Sequence, residues 1–574
     1  MLFSDCIVLC TVFAVIGLLA YFMSRKKNKE EESTRNTILG SGIGVVSSTL
    51  ALCSTFISAV SILGFPAEIY HQGGMMIWFI PMYCISFPLV AFVFLPRFYN
   101  LNLVTLYEYF EKRFNSSCRL LTTILFCAQN LLYNSVVIYA PSLAITSLTE
   151  IPIIWSIFGT AFLSVAYILV GGPKAGVIAS AAQMAFIFLV MGGIIAISLK
   201  EIGLKEMING MKTGRRLILD DFRINPTVRH SVWSLLIGGT GNILALFAAN
   251  QITLQRYIAM PTLKQAQKML LLNIVFQTLT LVSYVIIGSL IYVYYQDCHP
   301  VISNKNELLP RFVTEFVSPH SPLPVGTVGA FVAAIYCAGI STLSQSYTAI
   351  SAIIINDVWK VYRERHYQPP LPMKTVKRAL KGLPVLLATL SVGLAFLCSM
   401  VQGIILQISF IVFGAVGGPV LGSFIVGLFI PRVKGNAALV GLIVSVVVSF
   451  GISIGSVVLK VTPVPLELGQ CSNKTTLQFD ESKMGLVTST PLVFGLDRLF
   501  AVSYQYYAVI AVIVNVVVSY TIQGIMDWRS PQPIEGHSQV PLELVSPLLA
   551  VTGEQLHDPE HRQEKLGTQE DTLA

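Results

Sequence analysis

The sequence is a succession of apolar runs, each long enough to cross a bilayer, and this feature decides the fold class. A helical crossing needs about 20 mostly apolar residues. Such runs occupy residues 1 to 23 and stretches near 44 to 70, 75 to 96, 118 to 146, 151 to 170, 175 to 198, 231 to 249, 268 to 295, 326 to 355, 383 to 402, 404 to 430, 436 to 459 and 504 to 526, about thirteen in all. A backbone in hydrocarbon must satisfy its own hydrogen bonds, so each run reads as a helix. Only 12% of the 574 residues are charged and mean hydropathy is +0.69, whereas an average soluble domain carries roughly a quarter charged residues. The chain therefore reads as an all-α polytopic membrane protein. The basic residues sit in short loops, which excludes a nucleic-acid footprint and leaves membrane lipid as the surrounding partner. The cysteines lie mostly within spans, where they act as small hydrophobes.

The first run lacks a basic leader and is followed by Arg25-Lys26-Lys27, so it reads as a retained span with its N-terminus outside and its C-terminal flank in the cytosol. An odd number of spans places the C-terminus in the cytosol. The connections 250 to 267 and 356 to 382 agree, carrying Arg256 and Lys264, and Lys360, Arg363, Arg365, Lys374, Lys377, Arg378 and Lys381. The exception is 199 to 230, which falls outside although it holds Lys212, Arg215, Arg216, Arg223 and Arg229. In the outside loop 460 to 503, Asn473-Lys474-Thr475 is a glycosylation sequon, which supports this topology. Asn115-Ser116-Ser117 would face the cytosol. Cys298 and Cys471 both lie in outside loops, where a disulfide is chemically permitted. The transmembrane domain is thus 1–527, and 528–574 is a polar cytoplasmic tail that cannot bury a core and is expected to be disordered. Its last residues, Thr572-Leu573-Ala574, weakly match a peptide that adds to a sheet edge in a partner domain.

Charge is nearly absent from the spans. Between Asn36 and Pro96 the only carboxylate or strong base is Glu68, and between Ser231 and Gln255 there is none. That argues against a proton pump built on buried carboxylates. An uncharged cation site would use hydroxyls and freed carbonyls in interrupted helices. Two segments fit. Ser54-Thr55-Phe56-Ile57-Ser58-Ala59-Val60-Ser61 precedes the breaker Gly64-Phe65-Pro66, and Ser341-Thr342-Leu343-Ser344-Gln345-Ser346-Tyr347 carries five hydroxyls in seven positions. A hard cation such as sodium wants such oxygens. The same small residues also let membrane helices pack closely, so from pattern alone both readings stand.

The string from Ser54 to Tyr70, with Phe56-Ile57-Ser58-Ala59-Val60 and Leu63-Gly64-Phe65-Pro66-Ala67-Glu68-Ile69-Tyr70, resembles the first core helix of the sodium/solute symporter family. The likeness recurs at Gln255-Arg256-Tyr257, Asn306-Glu307-Leu308-Leu309-Pro310, Gly339 to Ser344, Asn356-Asp357 and Phe413 to Pro419, and spans roughly residues 5 to 527. The nearest branch is that of the sodium-coupled monocarboxylate and multivitamin transporters, with the iodide symporter close by. The resemblance implies a LeuT-like core of ten helices, about 44 to 430, in two inverted five-helix repeats, with the first and sixth core helices broken at mid-membrane. One span precedes that core and two follow it, at 436–459 and 504–526.

Carried over by position, the main sodium site would use backbone carbonyls of Ser54, Ile57 and Ala338 and the hydroxyls of Ser341 and Thr342. Substrate contacts would come from Thr55, Phe56 and Ser61 with Gln407, Ser409 and Phe410. The stretch Gln407 to Phe410 looks like the iodide symporter's. In relatives the stretch matching Gly171 to Gln183 usually carries Thr-Asp, with the Asp tied to cation coupling, where this chain has Ala179-Ser180. The implied function is sodium-coupled symport of small organic anions, monocarboxylates or carboxylate vitamins such as biotin and pantothenate, across the plasma membrane. No enzymatic activity or cofactor is implied, and sodium is the coupling ion. The alternatives are an inorganic-anion symporter of the iodide type, and a solute-gated sensor or leak channel without uphill transport.

Overall fold

The computed structural model describes residues 3–24, 44–101, 103–149, 151–300, 302, 304–322, 324–369, 371–400, 404–458, 497–529, 541 and 544–545. Numbered in chain order, the helices that frame the site are α1 (Phe3–Ser24), α2 (Val45–Phe56), α3 (Ala59–Gln72), α4 (Gly74–Asn100), the short α5 (Glu108–Arg113), α6 (Ser116–Leu148), α7 (Ile153–Ile202), α8 (Ser234–Phe247), α9 (Gln251–Ile258), α10 (Leu263–Tyr294), α11 (Pro324–Arg365), α12 (Met373–Ser399), α13 (Ile405–Phe429), α14 (Gly435–Val458) and α15 (Tyr504–Arg529), with further helical segments in the connections, Leu204–Thr213 among them. The described residues contain no strand. Nine of the described helical stretches are long and apolar enough to cross a membrane, with two bent pairs and two shorter apolar helices, Ser4–Leu18 and Ile153–Leu169, beside them. Each apolar segment read from the sequence coincides with one of these.

The bent pairs are the two interruptions expected of the core. α2 meets α3 at 63° and α8 meets α9 at 61°. Breaking a helix in hydrocarbon frees backbone groups that need new partners, and side chains supply them. At the second break, Tyr257 Oη donates to the carbonyl of Phe247 at 2.8 Å, and Asn250 caps α9 by accepting from the Ile252 N–H at 2.9 Å. This explains the Gln255-Arg256-Tyr257 motif structurally. At the first break, Ile57 leaves helical geometry at φ −82°, ψ 86°, and Tyr133 Oη donates to Ser58 Oγ at 2.9 Å. Close approach of α3 to α13 depends on Gly64, because a Cβ there would meet Leu406 Cβ at 2.7 Å.

Two expectations are refined. The spans read at 151–170 and 175–198 stand as the apolar stretches Ile153–Leu169 and Gly176–Ile202, and both belong to one helical element, α7, of 50 residues. A straight helix of that length would extend about 75 Å, more than twice the hydrocarbon thickness of roughly 30 Å. Gly and Pro are tolerated within such helices because neighbours re-satisfy the backbone, so Gly171-Gly172-Pro173 is built into helix where a loop was expected. Both arms pack on α11: Thr160 Oγ1 lies 2.9 Å from Tyr336 Oη, and Gln345 Nε2 donates to Ser180 Oγ at 3.1 Å.

The tail is the second. Helix α15 continues to Arg529, and Leu544 and Val545, in the stretch expected to be disordered, are buried. Tyr109 Oη donates to the carbonyl of Leu544 at 3.0 Å. Tyr109 joins Phe98 and Phe424 in an aromatic cluster beside Leu544. That contact places Leu544, α5 and the loop after α13 on one side, since Arg113 also donates to the carbonyls of Gly427 and Ile430. Asn115, rejected as a sequon, caps α6 by accepting from the Cys118 N–H at 2.9 Å. Asn473, Cys471 and Thr572-Leu573-Ala574 lie outside the described residues. Cys298 is disulfide-bonded.

Candidate functional site

Serine and threonine in a helix usually return their hydroxyls to their own backbone three or four residues back. Ser341 and Thr342 do so, each lying 3.0 Å from the carbonyl of Ala338. They also reach across to the broken end of α2. Ser341 Oγ lies 3.1 Å from the carbonyl of Ser54, and Thr342 Oγ1 lies 3.2 Å from that of Thr55. Five buried oxygens thus gather with only two hydroxyl protons to share, and no carboxylate is among them. A set of carbonyl and hydroxyl oxygens short of protons is what a hard monovalent cation can use without a full charge being buried beside it. Of the residues expected there, Ser54, Ala338, Ser341 and Thr342 come together. Ile57 sits in the break and lines the adjoining cavity, while Thr55 contributes a carbonyl that sequence reasoning did not assign.

Beside this cluster lies a small cavity of about 80 Å³. Phe56, Ser61 and Phe410 line it, as expected from the sequence, together with Phe65, Phe79, Tyr83 and Phe247. Phe56 and Phe247 pack with ring centroids 4.5 Å apart, and Phe65 stacks on Tyr284 at 5.2 Å. Its polar groups are few. Ser61 Oγ donates to the carbonyl of Ser58 at 2.8 Å and accepts from Tyr284 Oη at 3.2 Å. Gln277 and Thr280 face the same space from α10. A mostly apolar cavity with a few placed polar groups suits a small amphipathic organic solute.

The other three expected contacts stand elsewhere. Thr55 is buried with its hydroxyl on the Gln345 side-chain carbonyl. Ser409 returns its hydroxyl to the carbonyl of Ile405 at 3.1 Å. Gln407 Oε1 accepts from Arg229 Nη1 at 3.0 Å, which removes it from the cavity wall. Gln277, Thr280 and Tyr284 were missed, although their spacing of three and four residues inside an apolar run is a readable polar stripe.

A buried ion pair, a candidate lid, stands to each side. On one side, one turn beyond Phe65 and Phe410, Glu68 receives the Arg229 guanidinium fork at 2.6 and 2.9 Å and bonds His230 Nε2 at 2.7 Å. Arg229 also lies over the Tyr504 ring at 5.0 Å. Burial holds the His230 ring below the usual imidazole range, although its bond to Glu68 pulls the other way. On the opposite side Arg119 pairs with Asp357, which also accepts from Thr105 and Thr123, and Arg119 reaches Glu111 of α5. The basic loop 199 to 230 now has a physical account. Arg229 pairs with Glu68, Arg223 pairs with Asp221, and buried Arg216 donates to the carbonyls of Tyr70 and Gly214. These cations are engaged by the protein, so they exert little of the free positive charge that orients loops.

Comparison with known proteins bears on what this arrangement does. The family profile described as the sodium:solute symporter family matches residues 38–445. Sodium-coupled monocarboxylate transporter 1 of Xenopus laevis is 32% identical over 534 residues, covering 88% of this chain and 83% of the relative. Sodium-coupled monocarboxylate transporter 2 of Homo sapiens is 31% identical over 520 residues, covering 88% and 81%. A putative sodium-dependent multivitamin transporter of Drosophila melanogaster is 27% identical over 526 residues, covering 88% and 83%. Among solved structures, a substrate-bound, outward-open Na+-coupled sialic acid symporter superposes with a TM-score of 0.71 at 20% identity, covering 91% of this chain and 98% of the other.

Proposed function

The chain belongs to the sodium:solute symporter family and carries out sodium-coupled symport of a small organic solute; from that premise we propose that the solute is a small organic anion, a monocarboxylate or a carboxylate vitamin such as biotin or pantothenate. The observation that carries this reading is the pairing of the Ser341 and Thr342 hydroxyls with the Ser54 and Thr55 carbonyls directly beside an aromatic cavity. Sodium binds among the oxygens of Ser54, Thr55, Ala338, Ser341 and Thr342, with Ile57 in the break beside them, and ties the broken α2 to α11. The solute sits between Phe56, Ser61 and Phe410, its apolar part against the rings and its carboxylate toward Ser61, Gln277 and Thr280. No Arg or Lys lines the cavity, so bound sodium balances the anion's charge. The protein is a multi-pass membrane protein; it stands in the plasma membrane with the Glu68–Arg229 lid outside and the Arg119–Asp357 lid in the cytosol. Cys298 pairs with Cys471, and Asn473 carries a glycan in the same outside loop.

The test is uptake of labelled lactate, nicotinate, biotin, pantothenate and iodide into expressing cells, with sodium or choline outside. Sodium-dependent accumulation of one organic anion is the expected result. Accumulation of iodide alone, or solute-gated current without accumulation, would overturn the substrate assignment.

A further inference from the structure

Helix α10 carries Asn273, Gln277, Thr280 and Tyr284, separated by four, three and four residues, so all four share one face. The last three line the cavity. Asn273 continues the row one turn beyond it, in the direction of the helix start. That end of α10 lies on the side of the Arg119–Asp357 lid: Tyr99 Oη donates to the carbonyl of Met260, three residues before α10 begins, and Thr105, six residues after Tyr99, donates to Asp357. The row therefore continues about 6 Å beyond the cavity, toward the lid that must open for release.

Asn273 is fully buried, and neither its Nδ2 nor its Oδ1 has a hydrogen-bond partner. An unpaired buried amide is costly, and replacing it by an apolar group of the same size would relieve that cost. A group of this kind in a native interior calls for an explanation. An amide N–H donates to a carboxylate, and an anion crossing an apolar path without donors would bear its full desolvation.

Resting on the substrate reading above, we propose that Asn273, with Gln277, is a second holding station for the substrate's carboxylate, occupied after the anion leaves Ser61 and before it reaches the cytosol. The amide is left unpaired in the closed protein because its partner is the passing solute. Gln277 hands the carboxylate down the same face, and Asn273 holds it while the Arg119–Asp357 lid parts.

The test compares full-length wild type with Asn273→Leu, using whichever of lactate, nicotinate, biotin or pantothenate the wild type accumulates. Asn273→Leu should unfold at the same or a higher temperature. Its maximal uptake should fall about tenfold or more, as expected for loss of a hydrogen bond to a charged group, while half-saturating external sodium and substrate stay unchanged. Full uptake at equal stability would overturn the station, and so would a parallel fall of uptake and stability, which assigns the amide to packing. If Asn273→Leu does not reach the membrane, Asn273→Ser is read the same way. Absence of sodium-driven uptake in wild type would instead overturn the substrate reading itself.

Discussion

Gln345 joins Ser180 to Thr55: its Nε2 donates to Ser180 Oγ at 3.1 Å, and its Oε1 accepts the Thr55 hydroxyl. Ser180 stands where the resemblance places a carboxylate, and the amide fills that space with neutral hydrogen bonds one side chain away from the Thr55 carbonyl. The sodium cluster and the position of departure are therefore parts of one connected network. A carboxylate at 180 could take over the same Nε2–H and add a full negative charge.

Ser180→Asp should accordingly tighten sodium activation. A unit charge near a cation at an effective dielectric near 20 is worth a few kcal/mol, so half-activating sodium should fall more than tenfold. The measurement is uptake against external sodium concentration; an unchanged curve would show that the departure is neutral.

Ser341→Ala and Thr342→Ala each remove one hydroxyl oxygen from the cluster and leave a carbonyl at the break of α2 without its donor. Each should cost about 1–3 kcal/mol through the unpaired buried carbonyl alone, in addition to the lost ligand. The double variant should reach the cell surface and lose sodium-driven uptake. Wild-type uptake by the double variant would sink the site.

The Glu68–Arg229 lid calls for a double-mutant cycle. Both side chains are nearly inaccessible, at 0% and 8%, so Glu68→Gln strands a buried guanidinium and should destabilise by about 3–5 kcal/mol. Glu68→Gln with Arg229→Gln should recover much of the loss in thermal unfolding of the purified protein. A double variant no more stable than the worse single one would mean that the two residues do not act as a unit.

These residues differ in how far sequence alone exposes them. The hydroxyls at 341 and 342 stand out because polar side chains crowd into an otherwise apolar run, and the Gly-Phe-Pro sequence signals the interruption beside Ser54. Arg229 gives no such signal. It sits in a loop 161 positions from Glu68, and only tertiary structure converts an anomalous outside cation into half of a lid. Gln407 misleads for the same reason: its position on α13 faces the centre, but Arg229 claims its amide oxygen. The stripe at 277, 280 and 284 obeys a simple period but is masked by the hydrophobicity of its neighbours. Leu544 and Val545 lie in the mostly apolar run 540 to 551, which is too short to read as a span and is diluted when the composition is taken over the whole tail.

Charge balance gives the last prediction. Among the described residues no acidic or basic side chain lines the cavity, and the buried carboxylates Glu68 and Asp357 are each paired with an arginine. The fixed charge of the path therefore changes little when the pairs open and close together. If one sodium travels with one monovalent anion, no net charge crosses, and a tenfold sodium gradient, worth about 1.4 kcal/mol, limits accumulation to about tenfold. A second sodium would add its own gradient and about 2.3 kcal/mol per 100 mV of membrane potential. Wild type should thus show sodium-dependent uptake with little accompanying current, and Ser180→Asp should acquire a current if its carboxylate holds a second cation. Recording current and labelled uptake in the same cells decides between these stoichiometries; one positive charge per molecule in wild type would mean that neutral oxygens alone carry a second sodium through the Ser180–Gln345–Thr55 network.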